Sequence, residues 1–238
     1  MANCITKNIP NILTCCNLIA GCVAIAYALR EHFSMALALI VIGALFDFVD
    51  GMSARLLKVS SPIGKELDSL ADVVTFGVAP ASMVFAVCSS RYVLYPEALG
   101  VLSYFLPYLA FLLAAFSAIR LAKFNLDTRQ STSFIGLPTP ANALFWASLI
   151  VSYQRVFYSP FANYWGLVLL LGVCIFSYFL VAEFPMFALK FKNLSWEDNK
   201  IKYIFMGVCI ILLITMGISG IAASIVCYLL LSAVTQQK

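Results

Sequence analysis

The sequence predicts an all-α fold, a polytopic membrane bundle of about eight transmembrane helices, and three observations predict it. Of the 238 residues, 63% are hydrophobic and 11% charged, with a mean hydropathy of +0.96, whereas a soluble domain is about a quarter charged. The apolar residues form repeated runs, each near the ~20 residues that a helix needs to cross a bilayer. The short alternating segments of a transmembrane barrel are absent. The net charge of +4 is read as lysines and arginines gathered on one membrane side, with no nucleic acid as partner. The eight cysteines (4, 15, 16, 22, 88, 174, 209, 227) lack paired metal spacing and lie mostly in apolar runs, so they read as small buried hydrophobes.

Residues 1–12 are a short polar lead with a turn expected at Pro10-Asn11. The first span runs over about 13–29. It ends on Ala26-Tyr27-Ala28, as a cleaved signal would, but Asn11, Thr14 and Asn17 line one side of it, which the apolar core of a signal does not favour. Further spans are expected over about 35–55, 64–88, 98–122, 138–155, 163–182, 202–217 and 219–235. The last two are near the lower limit of ~17 residues and read as one tight hairpin turning at Gly217–Gly220. Residues 1–200 are therefore expected to form the main membrane domain, followed by a C-terminal hairpin over 201–238. With the amino terminus inside, twelve of the fifteen Lys and Arg residues fall on the cytoplasmic side, leaving Arg30, Arg91 and Arg155 opposite. That bias places both termini in the cytoplasm.

The stretch that carries chemistry is DFVDGMSARLLKVSSPIGKELDSLAD, residues 47–72. An ionised side chain inside a bilayer is costly and marks a functional site by default. Four carboxylates together, Asp47, Asp50, Asp68 and Asp72, demand a strong counter-charge, and hard divalent cations with oxygen ligands supply one. On a helix, Asp47, Asp50, Gly51 and Ala54 fall on one stripe. Gly64, Asp68, Asp72 and Thr75 fall on another. The two stripes can face each other across a narrow gap, where Gly51, Ala54 and Gly64 allow close approach. Arg55 offers a bidentate fork suited to phosphate. Both acid stripes sit near one membrane face, with no counterpart in residues 140–238, which disfavours a cation transporter. A non-enzymatic scaffold would have no use for four such acids.

The pattern D-x2-D-G-x2-A-R-x8-G-x3-D-x3-D, filled by Asp47, Asp50, Gly51, Ala54, Arg55, Gly64, Asp68 and Asp72, resembles the signature of the CDP-alcohol phosphatidyltransferases. All eight positions match without a gap. The resemblance implies that residues 1–200 carry that family's membrane domain, with its fold in the first six spans. It also implies two Mg²⁺ or Mn²⁺ ions held by Asp47, Asp50, Asp68 and Asp72, with Asp47 and Asp68 bridging. Asp72 would be ligand and general base together. Gly51 and Arg55 would contact the nucleotide diphosphate, with Ser61, Asn11 and Thr14 as weaker candidates for the nucleotide or ribose. A homodimer is expected from the family.

Three further stretches, KNIPNILTCCNLIAGCVAI, RLAKFNLDTRQSTSFIGLPTPANA and FPMFALKFKNLSW, resemble the membrane-embedded phosphatidylserine synthases within that family. The implied reaction joins CDP-diacylglycerol to L-serine, giving phosphatidylserine and CMP. A serine carboxylate needs a fixed cation. Arg120 and Lys123 lie at a helix end near the acids, and Asn125 offers both donor and acceptor. The polar loop that follows, 127–134, is suited to cover a site. Phosphatidylglycerophosphate or phosphoinositide synthesis would also call for cations, so charge alone leaves those acceptors open. His32, the single histidine, lies in a loop away from the acids, which excludes a histidine-nucleophile mechanism and favours direct displacement.

Overall fold

The computed structural model describes residues 4–59, 61–90, 93, 95–126, 134–157, 165–183, 185–186 and 195–235. The described chain is almost entirely helical, and the described residues of the runs expected to span a membrane are mostly in helix. Helix α1 is Cys4–Leu29 and α2 is Phe33–Leu57. Helix α3, Pro62–Asp72, continues through a π-helical turn, Val73–Val78, into α4, Ala79–Cys88. Then follow α5 (Leu112–Leu126), α6 (Thr139–Phe157), α7 (Trp165–Val181), α8 (Trp196–Met216) and α9 (Ser219–Thr235). Among the described residues, five helices are long and apolar enough to cross a membrane: Asn8–Leu29, Phe33–Leu57, Pro62–Cys88, Leu106–Leu126 and Asn199–Met216. Trp165–Val181 and Ser219–Ala233 are apolar but shorter. The chain is thus a multi-pass membrane protein.

Two expected boundaries move. The turn at Pro10-Asn11 is absent, and Pro10 lies within α1, two residues into the apolar part of the helix that opens at Asn8. Pro10 stands past the first turn of α1, so the helix forgoes one i→i−4 hydrogen bond there. The fourth span was expected from 98, but residues Glu97–Tyr104 and Leu106–Phe111 are 3₁₀ turns, and regular α-helix begins at Leu112. Gly100, at φ +46°, and Pro107 at the start of the second turn punctuate that stretch.

The Pro62–Cys88 helix is the axis of the bundle, with 72% of its apolar window buried against 33% for α1 and for α2. Its α4 part is apolar on every side, and Ala79, Ala81, Met83, Val84 and Val87 are wholly enclosed, as a core helix requires. The core continues through Phe33, Ile40, Phe76, Leu113, Trp146 and Ile150. Outward-facing residues such as Leu45, Phe48, Leu171 and Ile214 are large and apolar, as a lipid-facing surface should be. The cysteines divide between the two environments: Cys88 is buried, but Cys15, Cys22 and Cys174 are exposed on the apolar surface. They pack toward lipid, which takes a small hydrophobe as readily as a core does.

A two-residue antiparallel ladder, Phe134–Ile135 with Pro185–Met186, ties the approach to α6 to the exit from α7. The C-terminal helices form a hairpin. Gly217 closes α8 at φ +60°, and a Cβ on Gly220 would collide with the Leu212 carbonyl. Helix α9 packs on α6 as well as on α8.

Candidate functional site

The acids of α2 and α3 converge. Asp47, Asp50 and Asp68 each offer a carboxylate oxygen, and these oxygens lie within 4.8 Å of one another. Local sequence explains the meeting. Lys58 takes the left-handed conformation, and its N–H bonds the Ala54 and Arg55 carbonyls, which ends α2 sharply. Ser61 then caps α3, its Oγ accepting from the Gly64 N–H at 3.0 Å, with Pro62 in the first turn. The chain reverses within a few residues, so the two acid stripes face each other.

Helix α1 completes the cluster, which is therefore built on three helices. The Thr14 hydroxyl donates to Asp50 at 2.5 Å, with the Pro10 carbonyl 3.0 Å from the same oxygen. Asp72 is 8% exposed and lies outside the closest three-acid group, although Asp47, Asp50 and Asp68 are all near enough to act on its charge. Asn17 Nδ2 donates to Asp72 at 3.2 Å. The Asn17 carbonyl in turn accepts from Thr75 Oγ1 at 3.0 Å.

Thr75 sits in the π-helical turn, which changes the phase of the helix just past Asp72. Its hydroxyl bonds the same α1 residue that holds Asp72. Close packing depends on glycine here. A Cβ on Gly43 would lie 2.9 Å from Asn17 Oδ1, and one on Gly21 would strike the Thr75 backbone. Asn17 is fully buried and aims the carboxylate of Asp72. Sequence reading placed Asn17 beside Asn11 and Thr14 on α1 but assigned it no part in the site. The i, i+3, i+6 polar stripe in an apolar span was the available signal. Asn17→Leu should lower kcat by roughly 10- to 100-fold, the usual cost of losing a group that orients a ligand, while the KM for the nucleotide-bearing substrate changes little.

On the Asp50 and Asp68 side opens a cavity of about 800 Å³, lined by Asn11, Thr14, Gly51, Ala54, Ser61 and Gly64. That volume suits a nucleotide-sized ligand. Lys58 and Lys65, read from the sequence only as topology charges, also line it and bring positive charge beside the acids. Gly64 must lack a side chain, because a Cβ there would lie 2.9 Å from both Asn11 Oδ1 and Ser61 Oγ. Arg55 is exposed at the end of α2, and its guanidinium reaches within 3.9 Å of where a Gly51 Cβ would stand.

The three residues expected to bind an acceptor separate. Arg120 is buried, 8% exposed, donates from Nη1 to Thr139 Oγ1 at 3.1 Å, and lies close enough to Asp72 for their charges to interact. Lys123 is exposed. Asn125 is a tie between helices: its Nδ2 donates to Ser69 Oγ at 2.7 Å, and its carbonyl accepts from Lys65 Nζ at 3.1 Å. Residues 127–133, most of the expected cover, lie outside the described residues, as does most of the basic segment 184–196.

The donor set suits a hard divalent cation. Clustered carboxylates are the ligands such ions take, and Asp68 Oδ1 is buried without a hydrogen-bond partner among the described residues.

Comparison with known proteins agrees with this chemistry. A family model described as CDP-alcohol phosphatidyltransferase matches residues 7–178. The chain is 35% identical over 185 residues to a CDP-diacylglycerol–serine O-phosphatidyltransferase of Bacillus subtilis (strain 168), covering 75% of this chain and 90% of that protein. It is 34% identical over 194 residues to the protein of the same name from Helicobacter pylori (strain J99), covering 79% of this chain and 74% of the other. A third protein so named, from Methanocaldococcus jannaschii, is 34% identical over 177 residues, 74% of this chain and 75% of its own.

Proposed function

Because the chain belongs to the CDP-alcohol phosphatidyltransferase family, we propose that it transfers the phosphatidyl group of CDP-diacylglycerol to the hydroxyl of L-serine, releasing CMP. The observation that supports this reading is the convergence of the acids beside a nucleotide-sized cavity, with a buried arginine, Arg120, within electrostatic reach of Asp72. An in-line displacement at phosphorus would have donor and acceptor approach from opposite sides.

Asp47, Asp50, Asp68 and Asp72 would hold two divalent ions, Mg²⁺ or Mn²⁺, and such a pair neutralises charge on the transferring phosphoryl group and on the departing CMP. Asn11, Thr14, Gly51 and Ser61 form the wall against which the nucleotide rests, and Arg55 reaches its diphosphate. Asp72, held by Asn17, takes the proton of the serine hydroxyl as that oxygen bonds to the phosphorus bearing diacylglycerol. The bond from phosphorus to the CMP oxygen breaks in the same displacement. Arg120 receives the serine carboxylate. Lys123 and Asn125 stand further from the reaction, Lys123 as surface charge at the mouth and Asn125 as the tie that fixes α5 to α3. The basic residues gathered on one side orient the site and both termini toward the cytoplasm of the cell membrane, where serine is available. The chain works as a homodimer, with residues 1–200 as the catalytic membrane domain.

Purified protein supplied with CDP-diacylglycerol should release CMP with labelled serine and not with labelled glycerol 3-phosphate or inositol phosphate. Labelled CMP should not exchange into CDP-diacylglycerol without serine. Preference for another acceptor would replace the serine assignment, and exchange without an acceptor would replace direct displacement by a covalent intermediate.

A further inference from the structure

Several buried polar atoms that the mechanism leaves unused lie on α5, α6 and α9, with α6 in contact with both of the others. Arg120 Nε has no hydrogen-bond partner among the described residues, although the residue is buried and Nη1 is tied to Thr139. Asn142 stands three residues beyond Thr139 on α6, hence on the same helix face. It is fully buried, and both its Oδ1 and its Nδ2 lack partners among the described residues. Helix α9 packs on α6. Ser224, Tyr228 and Ser232 recur on α9 every four residues and so form one polar stripe, with the Ser224 and Ser232 hydroxyls also unpartnered among the described residues. Tyr228 is 8% exposed, its ring rests on Phe205 of α8 at 5.8 Å, and its phenol interacts electrostatically with the Arg120 guanidinium.

An unpaired amide or guanidinium N–H within a membrane bundle is too costly to leave empty-handed. A polar ligand that offers both an anion and N–H donors answers this group of atoms. Arg120 Nε and Asn142 Nδ2 would donate to a carboxylate, while Asn142 Oδ1 and the Tyr228 oxygen would accept from an ammonium. This is the chemistry of an amino-acid alcohol, and its hydroxyl would then lie toward Asp72, whose charge reaches Arg120. We propose that Asn142 and Tyr228 close the acceptor pocket around Arg120, so that the C-terminal hairpin helps select the acceptor. The family match ends at residue 178, so the hairpin supplies a specificity element from outside the matched domain. The inference rests on the placement of the acceptor at Arg120.

Tyr228→Phe and Asn142→Ala, made in the full-length protein in detergent micelles, test it. Kinetics are read with whichever alcohol the wild-type protein accepts, so an error in the serine assignment does not decide the result. Both variants should raise the acceptor KM by roughly tenfold or more, the expected cost of a lost buried partner. The KM for CDP-diacylglycerol should stay within about twofold, since the donor cavity does not include either residue. Tyr228→Phe retains the ring on Phe205, and its melting temperature is read beside the kinetics to show that it folds. It therefore decides the matter if Asn142→Ala fails to fold. An unchanged acceptor KM in Tyr228→Phe, or a fall in kcat with no change in acceptor KM, overturns the proposal.

Discussion

Asp72→Asn should lower CMP release by roughly 10²–10⁴-fold, the range that a positioned general base contributes, while CDP-diacylglycerol still binds within a few-fold of the wild-type affinity. The substitution is nearly isosteric, and the amide oxygen can still accept from Asn17 Nδ2, which lies 3.2 Å from the present carboxylate. What it removes is the capacity to take a proton and one negative charge. Binding of the donor should survive because the cavity is lined by Asp50 and Asp68 and not by Asp72. Saturating kinetics with serine, paired with equilibrium binding of a CDP-lipid, separate the two effects. Near-normal turnover would remove Asp72 from the base role. A parallel collapse of donor binding would make it a structural or purely metal-holding residue.

Removal of divalent cations should abolish activity altogether, and Mg²⁺ or Mn²⁺ should restore it. The reason is electrostatic. Three carboxylate oxygens within 4.8 Å of each other repel, when ionised, by about 3–4 kcal/mol per pair at an effective dielectric constant of ~20. A bound cation reverses that sign. The same argument gives a readout independent of turnover. Metal bound to the native state should raise the melting temperature in proportion to the logarithm of its concentration above Kd. Asp68→Asn should lose both the thermal response and the rescue, because Asp68 Oδ1, buried and unpartnered among the described residues, is the oxygen that most needs an ion. Full activity of a chelator-treated preparation, or a melting temperature indifferent to Mg²⁺ and Mn²⁺, would overturn the metal site.

The convergence of Asp47, Asp50 and Asp68 was legible because helical periodicity fixes which residues share a face, and because Ser61-Pro62 marks where the next helix starts. Asn17 was not legible in its role. Its partner lies 55 residues away on another helix, and no local pattern encodes which helix will press against α1. Thr75 shows a second limit. Counting at 3.6 residues per turn put it on the acid stripe, and it does meet Asn17 as Asp72 does, but nothing in the pattern announced the π-helical turn over Val73–Val78 in which it sits. Arg120 and Lys123 are equivalent as sequence, basic residues at one helix end. Packing buries the first against Thr139 of α6 and leaves the second at the surface.

The π-helical turn also has a bearing on which length changes the chain tolerates. A π-helical turn holds about one residue more than a regular α turn, so dropping one position between Val73 and Val78 would let the stretch close as ordinary helix, whereas adding one would swing Ala79–Cys88 by about 100° relative to Asp72. Val84 and Val87, now wholly enclosed, would be driven from the middle of the protein toward its rim. The stretch therefore sets the angle between the reacting end of this helix and its anchoring end, and a gained residue there should cost more than a lost one.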